Sequence, residues 1–290
     1  MEIKTPRLTT KLRLVTHALG LCKLNNESDK RRGDILIVLI DSDSLCYANA
    51  FAVEREGEVV ENGDLYMYSK LERTIATIIE ETNATDYKLF LSGKVNFRDE
   101  VYSLYKANRE GMKRPKLLQP ARDFLEIVHH AIVSDGIEAD DMVCIEQTAL
   151  MKQGIDCCIA HIDKDIDQQE GKHYRWALGK KPSEQYYITK EEGLQCLYQQ
   201  ALVGDKVDNI MYYLNKESGT WKKNYGLGKV GARKALMDCK TEKELYRTCL
   251  EHYETWTKKG DGTPCSQHDL DVNMQLLYLL RTENDKWERP

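Results

Sequence analysis

Six consecutive aliphatic residues, Ile35-Leu-Ile-Val-Leu-Ile40, run straight into an acid, Asp41. A run of that length, with that β-branched content, has no polar face, so it fits a strand covered on both sides in a parallel sheet. Tyr87–Leu91, Ala131–Val133 and Cys157–Ile162 are shorter strand candidates, and Met67–Glu81, Arg122–His130 and Ala139–Lys152 between them have helical spacing. This alternation predicts an α/β fold, a central, mostly parallel sheet flanked by helices on both faces. Ligands of such sheets bind beyond the carboxyl ends of the strands, where Asp41 stands. After about residue 186 the pattern turns helical, with candidates Thr189–Val203, Gly231–Cys239, Glu242–Glu254 and Asp269–Leu280.

Nine carboxylates gather at four places where an element would begin or end. They are Asp41 and Asp43; Glu138, Asp140 and Asp141; Asp163 and Asp165; and Asp205 and Asp208. Glu138 and Asp141 are three apart and share a helix face, a spacing that Asp205 and Asp208 repeat. Asp163 and Asp165 point the same way if the chain there is extended. Any one group could be a helix cap or a solvated turn. Four together imply one convergent site of hard oxygen ligands, suited to Mg2+ or Mn2+ rather than zinc.

The chain of 290 residues, 41% hydrophobic, can bury a substantial core. Its nine cysteines have no paired metal-ligand spacing and read as reduced thiols of a cytoplasmic protein. No stretch approaches the ~18 apolar residues of a membrane helix. Residues 1–33 read as a basic N-terminal extension. The net charge of -5 argues weakly against a nucleic-acid partner until the nine carboxylates are set aside, which leaves 42 basic residues against 38 acidic. Acids gathered around metal ions leave a surface able to bind a polyanion.

Two further stretches fit phosphate chemistry. Between Asn96 and Lys116, the cations Arg98, Lys106, Arg109, Lys113, Arg114 and Lys116 are interleaved with Phe97, Tyr102 and Tyr105. That mixture suits phosphate contacts with base stacking, or else the solvated face of an ordinary amphipathic helix. Gly226-Leu-Gly-Lys-Val-Gly-Ala-Arg-Lys-Ala235 places three glycines before a helix bearing Arg233 and Lys234. With no preceding strand and no Walker spacing, it fits a helix-hairpin-helix gripping a duplex backbone better than a nucleotide loop.

Over residues 34 to 240, roughly, the order of these motifs resembles that of phage-type 5′ to 3′ exonucleases of the flap endonuclease (5′-nuclease) family. The motifs are the strand ending in Asp41, Phe97-Arg98, Tyr105-Lys106-Ala-Asn108-Arg109, Gly136-Ile-Glu138-Ala-Asp140-Asp141, Asp163-Lys-Asp165, Gly204-Asp205-Lys-Val-Asp208-Asn209 and the glycine hairpin. The resemblance implies a PIN-like fold with a nuclease core over 34–185, a helical arch at 97–118, and a helical DNA-binding region over 186–290. It implies two divalent ions held by Asp41, Glu138, Asp140, Asp141, Asp163, Asp165, Asp205 and Asp208, directly or through water. Lys106 and Arg109 would meet the scissile phosphate, and Tyr105, with Arg98 nearby, would meet the DNA end. Gly226, Gly228, Lys229, Gly231, Arg233 and Lys234 would hold the duplex, with a potassium ion at the hairpin. The implied substrate is double-stranded DNA with 5′ ends, nicks or flaps, with RNA–DNA hybrids as a further expectation, cut by a monomer in the cytoplasm, a host's if phage-encoded.

Two features depart from the family pattern. Ser92-Gly93 stands where many relatives carry an aspartate, and Met211–Tyr225 is an insertion before the hairpin. Asp43 and Asp167 are read as neighbours of the ligand set, with solvated or supporting roles both open. Two other classes compete: a haloacid-dehalogenase-type phosphatase with Asp41 as nucleophile, and a branched-DNA binder that does not cut. The phosphatase reading leaves Glu138–Asp141, Tyr105–Arg109 and the hairpin without a role.

Overall fold

The computed structural model describes residues 35–55, 63–210, 213–215, 227–258 and 262–290. The basic extension 1–33, Gly226 with its potassium expectation, and all of the insertion except 213–215 lie outside the described residues.

Strand β1 (Leu36–Asp41) is central. It pairs in parallel with β2 (Asp86–Leu91) on one side and β4 (Asp156–Ala160) on the other. β3 (Ile132–Val133) extends the sheet beyond β2, and β5 (Gly171–Arg175) extends it in parallel beyond β4. β6 (Glu184–Ile188) closes that edge antiparallel, giving the order β3-β2-β1-β4-β5-β6. Strand order therefore reverses between β1 and β4, the crevice where open α/β sheets place ligands.

Alternation along β1 explains why six apolar residues in a row are needed. Ile37 and Leu39 face a layer made by α5 (Ala139–Lys152), with Val143, Cys144 and Leu150. Val38 and Ile40 face the opposite layer of α1 (Ser42–Arg55), α2 (Gly63–Thr82) and α4 (Leu118–Val128). Met67, Leu71, Ile75 and Ile78 give α2 its buried stripe at helical spacing. Each such side chain contributes about 1.5–3 kcal/mol on burial.

A third apolar cluster joins α6 (Lys190–Val203), α7 (Lys229–Leu236), α8 (Glu242–Glu254) and α9 (Gln267–Leu277) through Leu197, Leu202, Leu236, Tyr253 and Met274. Two short strands, β7 (Tyr213–Asn215) and β8 (Trp256–Lys258), pair antiparallel beside it. The eight described cysteines are free.

Four features were not foreseen. α1 follows Asp41 at once, β5 and β6 add an edge to the sheet, and β7 with β8 interrupts the helical half. The expected arch over 97–118 is helical only in α3 (Phe97–Val101) and a 3-10 turn at Ala107–Arg109. Between them Lys106 takes a left-handed backbone, φ 55°, which no continuous helix accommodates.

Candidate active site

The four acidic groups converge beyond the carboxyl edge of β1 and β4. Asp41 ends β1 and is 4% exposed. Burial, with the charges of Asp43 and Asp163, pushes its carboxyl up to about 7. Asp163 and Asp165 follow β4 in a 3-10 turn, where the Asp163 side chain accepts from the Asp165 amide at 3.0 Å. Burial, then Asp163 and Asp205, raise Asp165 to about 7, partly offset by Lys164. Asp205 folds its own turn, accepting from the amides of Val207 at 2.7 Å and Asp208 at 3.2 Å. Asp208 is raised by burial and by Asp205 and Glu138, against Lys106 and Arg109. Asp140, at the start of α5, is pushed well up by burial and by Asp141 and Glu138. From Asp41 to Asp140 each carboxylate thus feels the charge of the next, so the groups share one basin. Mutual repulsion of this kind is relieved by divalent cations, and an all-oxygen donor set fits Mg2+ or Mn2+.

The cations opposite are held by two interlocked turns. The Lys106 amide donates to the Asp208 carbonyl at 2.9 Å, and Asn209 Nδ2 to the Leu104 carbonyl at 2.7 Å. Asn108 Nδ2 reaches the Lys206 carbonyl at 2.5 Å, and Arg109 Nε the Val207 carbonyl at 3.1 Å. Both left-handed non-glycine residues here, Lys106 and Asn209, lie in this lock. Backbone strain of that kind persists where surrounding bonds over-determine it. The lock delivers Lys106 Nζ to Glu138 and within 3.8 Å of Asp208, and Arg109 Nη2 to Asp208. Burial pushes Glu138 up, but Lys106 and Arg98 outweigh it and hold it below its usual range.

Three residues of the expected site sit elsewhere than the resemblance implied. Arg98, expected near the DNA end, is 1% exposed and pairs through both terminal nitrogens with Asp141, which is fully buried. Arg98 also donates to the carbonyls of Leu276 and Tyr278, each at 2.8 Å, and the Leu280 amide donates to Asp141 at 3.0 Å. The segment after α9 therefore seals this pair, and Asp141 holds Arg98 rather than facing the basin. Tyr105 is 6% exposed, with its hydroxyl 2.8 Å from Glu138 and 3.2 Å from Asp208. A ring so enclosed braces the two acids and has no free face for a base.

Gly93 is a steric requirement. A Cβ there would meet the Ser134 carbonyl oxygen at 2.1 Å, so no aspartate fits. Ser92 Oγ instead accepts from the Ala139 amide at 2.9 Å, at the start of α5. Asp43 accepts from the Ser92 amide at 3.0 Å and pairs with Arg122, which binds the Ser92 carbonyl as well. Spacing alone missed Arg122, and also Gln200, which donates to Asp165 at 2.9 Å; both come from far along the chain. In the hairpin, Gly228 precedes α7 with φ -60°, and Lys229, Arg233 and Lys234 are exposed. Gly231 lies within α7, so the helix begins two residues earlier than its spacing suggested.

A family model described as the 5'-3' exonuclease N-terminal resolvase-like domain matches residues 36–197, more than half of the chain. The chain belongs to this family. Among its relatives, a 5'-3' exonuclease from Buchnera aphidicola subsp. Schizaphis graminum is 30% identical over 188 residues, covering 60% of this chain and 64% of that protein. DNA polymerase I from Streptococcus pneumoniae is 26% identical over 195 residues, covering 60% of this chain but 22% of the polymerase. The chain thus spans less than two thirds of either relative. Structures of the T5 5'-exonuclease with zinc (TM-score 0.56, 16% identity, 83% of this chain and 89% of that one) and of T5 D15 with metal ions (0.53, 17%, 83% and 86%) share the fold. The match begins at β1 and ends in α6, so it spans all of the carboxylates except Asp205 and Asp208.

Proposed function

We propose that this protein is a divalent-metal-dependent 5′ to 3′ exonuclease that hydrolyses phosphodiesters from the 5′ end of duplex DNA, with flap cleavage as a related activity. One observation carries the reading: a basin of mutually repelling carboxylates with Lys106 and Arg109 locked opposite them, in a member of the 5'-3' exonuclease family. A T5 D15 flap endonuclease of the same fold has been solved as a complex with DNA and metal ions, which supports the substrate class.

Asp41, Glu138, Asp140, Asp163, Asp165, Asp205 and Asp208 would hold two divalent ions, which when bound supply a water of lowered pKa and counter-charge for the phosphate. Asp141 acts by fixing Arg98 beneath them. Lys106 and Arg109 exchange Glu138 and Asp208 for nonbridging phosphate oxygens as the substrate enters, so developing charge meets cations already in place. Freed of Lys106, Glu138 becomes available to the metal side. Lys164, 3.2 Å from both Asp165 and Asp205, balances the sheet side until metal arrives. Lys229 at the start of α7, and Arg233 and Lys234 in its last turn, hold the duplex by its backbone, without reading bases.

In this reading residues 34–185 are the nuclease core and 186–290 the helical DNA-binding region, preceded by the 1–33 extension, in a monomer acting in the cytoplasm. No helix of the described residues is long and apolar enough to cross a membrane. The phosphatase reading is not favoured, because it leaves Lys106 and Arg109, held against Glu138 and Asp208, without a role.

The test is product release from 5′- and 3′-labelled duplex, nicked and flapped DNA, with Mg2+ and then EDTA, beside an Asp163→Ala control. Loss from the 5′ side that needs Mg2+ and vanishes in the control is expected. Tight binding without cleavage would make the protein a branched-DNA binder.

A further inference from the structure

Behind the carboxylate basin lies a second cluster of a different chemistry. His161 follows β4, Asp167 lies in the 3-10 turn, His173 is on β5 and Tyr186 on β6. Both imidazoles are buried, with His161 0% and His173 1% exposed. One nitrogen of each faces a backbone carbonyl: His161 Nδ1 lies 2.5 Å from the Asp163 oxygen and His173 Nε2 lies 2.8 Å from the Gln169 oxygen. Carbonyls only accept, so these nitrogens carry the hydrogens.

The other two nitrogens then face each other with lone pairs. His161 Nε2 and His173 Nδ1 are 3.0 Å apart, and in neutral rings neither carries a hydrogen. The Tyr186 hydroxyl lies 3.1 Å from His161 Nε2 and donates to Asp167 Oδ1 at 2.7 Å, so its one hydrogen is engaged there. Asp167 Oδ1 lies 3.9 Å from His161 Nε2, while Asp167 Oδ2 pairs with Arg175. Four donor atoms therefore converge around a place that needs a positive centre.

We propose that His161 Nε2, His173 Nδ1 and Asp167 Oδ1, with the Tyr186 hydroxyl or a water as fourth ligand, form a site for a zinc-class transition-metal ion. One nitrogen or oxygen atom from each of the three ligand residues lies within 4.8 Å of the others. Zinc–nitrogen bonds of about 2.0–2.1 Å in tetrahedral array separate two nitrogens by about 3.3 Å, so the rings need to part by only about 0.3 Å. Outward N–H bonds to carbonyls are how metal-bound histidines are oriented, and that half of the site is already built. Imidazole nitrogens select zinc, cobalt or nickel over magnesium, which separates this site from the oxygen-only basin. An ion here ties together β4, β5, β6 and the turn that carries Asp163 and Asp165.

The inference is independent of the nuclease reading, and its test reads metal, not cleavage. Metal-free full-length protein in a large excess of Mg2+, which fills the carboxylate basin, is titrated with Zn2+ by calorimetry and with Co2+ by visible absorption. One equivalent of Zn2+ and the intense bands of four-coordinate Co2+ are expected. His173→Gln and, separately, the half-buried Asp167→Asn should each weaken Zn2+ by at least about tenfold. Asp41→Asn combined with Asp205→Asn should leave the equivalent in place. Wild-type protein that takes up no Zn2+ under Mg2+ overturns the site, and no variant is needed for that outcome. Uptake unchanged by both His173→Gln and Asp167→Asn, or abolished by the Asp41 and Asp205 pair, overturns it equally.

Discussion

The two sides of the carboxylate basin contain the same kind of acid but are neutralised differently. On the sheet side, Asp41, Asp163 and Asp165 have one neighbouring cation among the described residues, the half-exposed Lys164, and two of the three are pushed up to about 7. On the loop side, Glu138 and Asp208 each have a cation in contact, Lys106 and Arg109, while Asp141 behind them holds Arg98. Glu138 is lowered as a result, while burial still keeps Asp208 raised. In the proposed reading, the fold leaves charge uncompensated on the side that would take metal ions, and keeps its own cations on the side that would meet an anionic substrate.

The comparison breaks most sharply at Asp41. Asp41→Asn should cut Mg2+-dependent cleavage by roughly a thousandfold, the equivalent of several kcal/mol of lost charge stabilisation. The same change should stabilise the metal-free protein at alkaline pH. The folded carboxyl holds its proton to about 7 and the unfolded one only to its ordinary 3.8. Wild-type stability therefore falls as pH rises from about 4 to about 7 and then levels, by at most about 4 kcal/mol from this group. Thermal unfolding with EDTA at pH 5 and pH 8 checks it. Added Mg2+ should erase the difference in wild type, and Asp41→Asn should reduce it without metal, with Asp165 supplying the remainder over the same pH range. An unchanged wild-type profile would remove the idea that this side is charge-frustrated.

Arg98 tests the loop side. Arg98→Met leaves Asp141 buried without its cation, at a cost of about 3–5 kcal/mol in unfolding free energy, measured by urea denaturation. DNA affinity of the folded fraction should not change. Lost affinity at unchanged stability would return Arg98 to the DNA contacts. Lys106→Ala removes a half-buried cation that faces the basin, and should slow single-turnover cleavage about a hundredfold with smaller effects on binding. A rate within twofold of wild type would mean that Lys106 serves Glu138 alone.

What could be read in advance tracks how local each cause is. The strand ending in Asp41 was legible because one buried strand requires an uninterrupted apolar run, and the four acidic groups because each closes or opens an element nearby in sequence. Arg98 was not, because its partner is 43 residues away and its seal, Leu276 and Tyr278, about 180 away. An arginine among aromatics looks alike whether it meets a phosphate or a buried aspartate. The broken form of the expected arch was not legible because composition does not reveal a left-handed Lys106, which depends on a bond to the Asp208 carbonyl. The absent acid at Gly93 is explained only by the approach of Ser134. The histidine pair was silent because His161 follows β4 and His173 lies on β5, neighbouring strands whose pairing no single-chain periodicity reports.

The smallest expected effect lies farthest from the basin. Lys229, Arg233 and Lys234 are exposed on α7, which packs on the helical half through Ala232 and Leu236. A contact made there to the duplex backbone carries no base information and exchanges freely with salt. Arg233→Ala with Lys234→Ala should therefore reduce affinity about equally for all duplex sequences, and lower the slope of log affinity against log salt by about 2. Cleavage at saturating DNA should stay near wild type, because neither residue approaches the carboxylates. The contrast with Lys106→Ala is the informative part: one change acts on rate and the other on the salt slope. If both substitutions act on the slope alone, the cations of the interlocked turns only gather DNA, and the chemistry rests entirely on the acids and their metal.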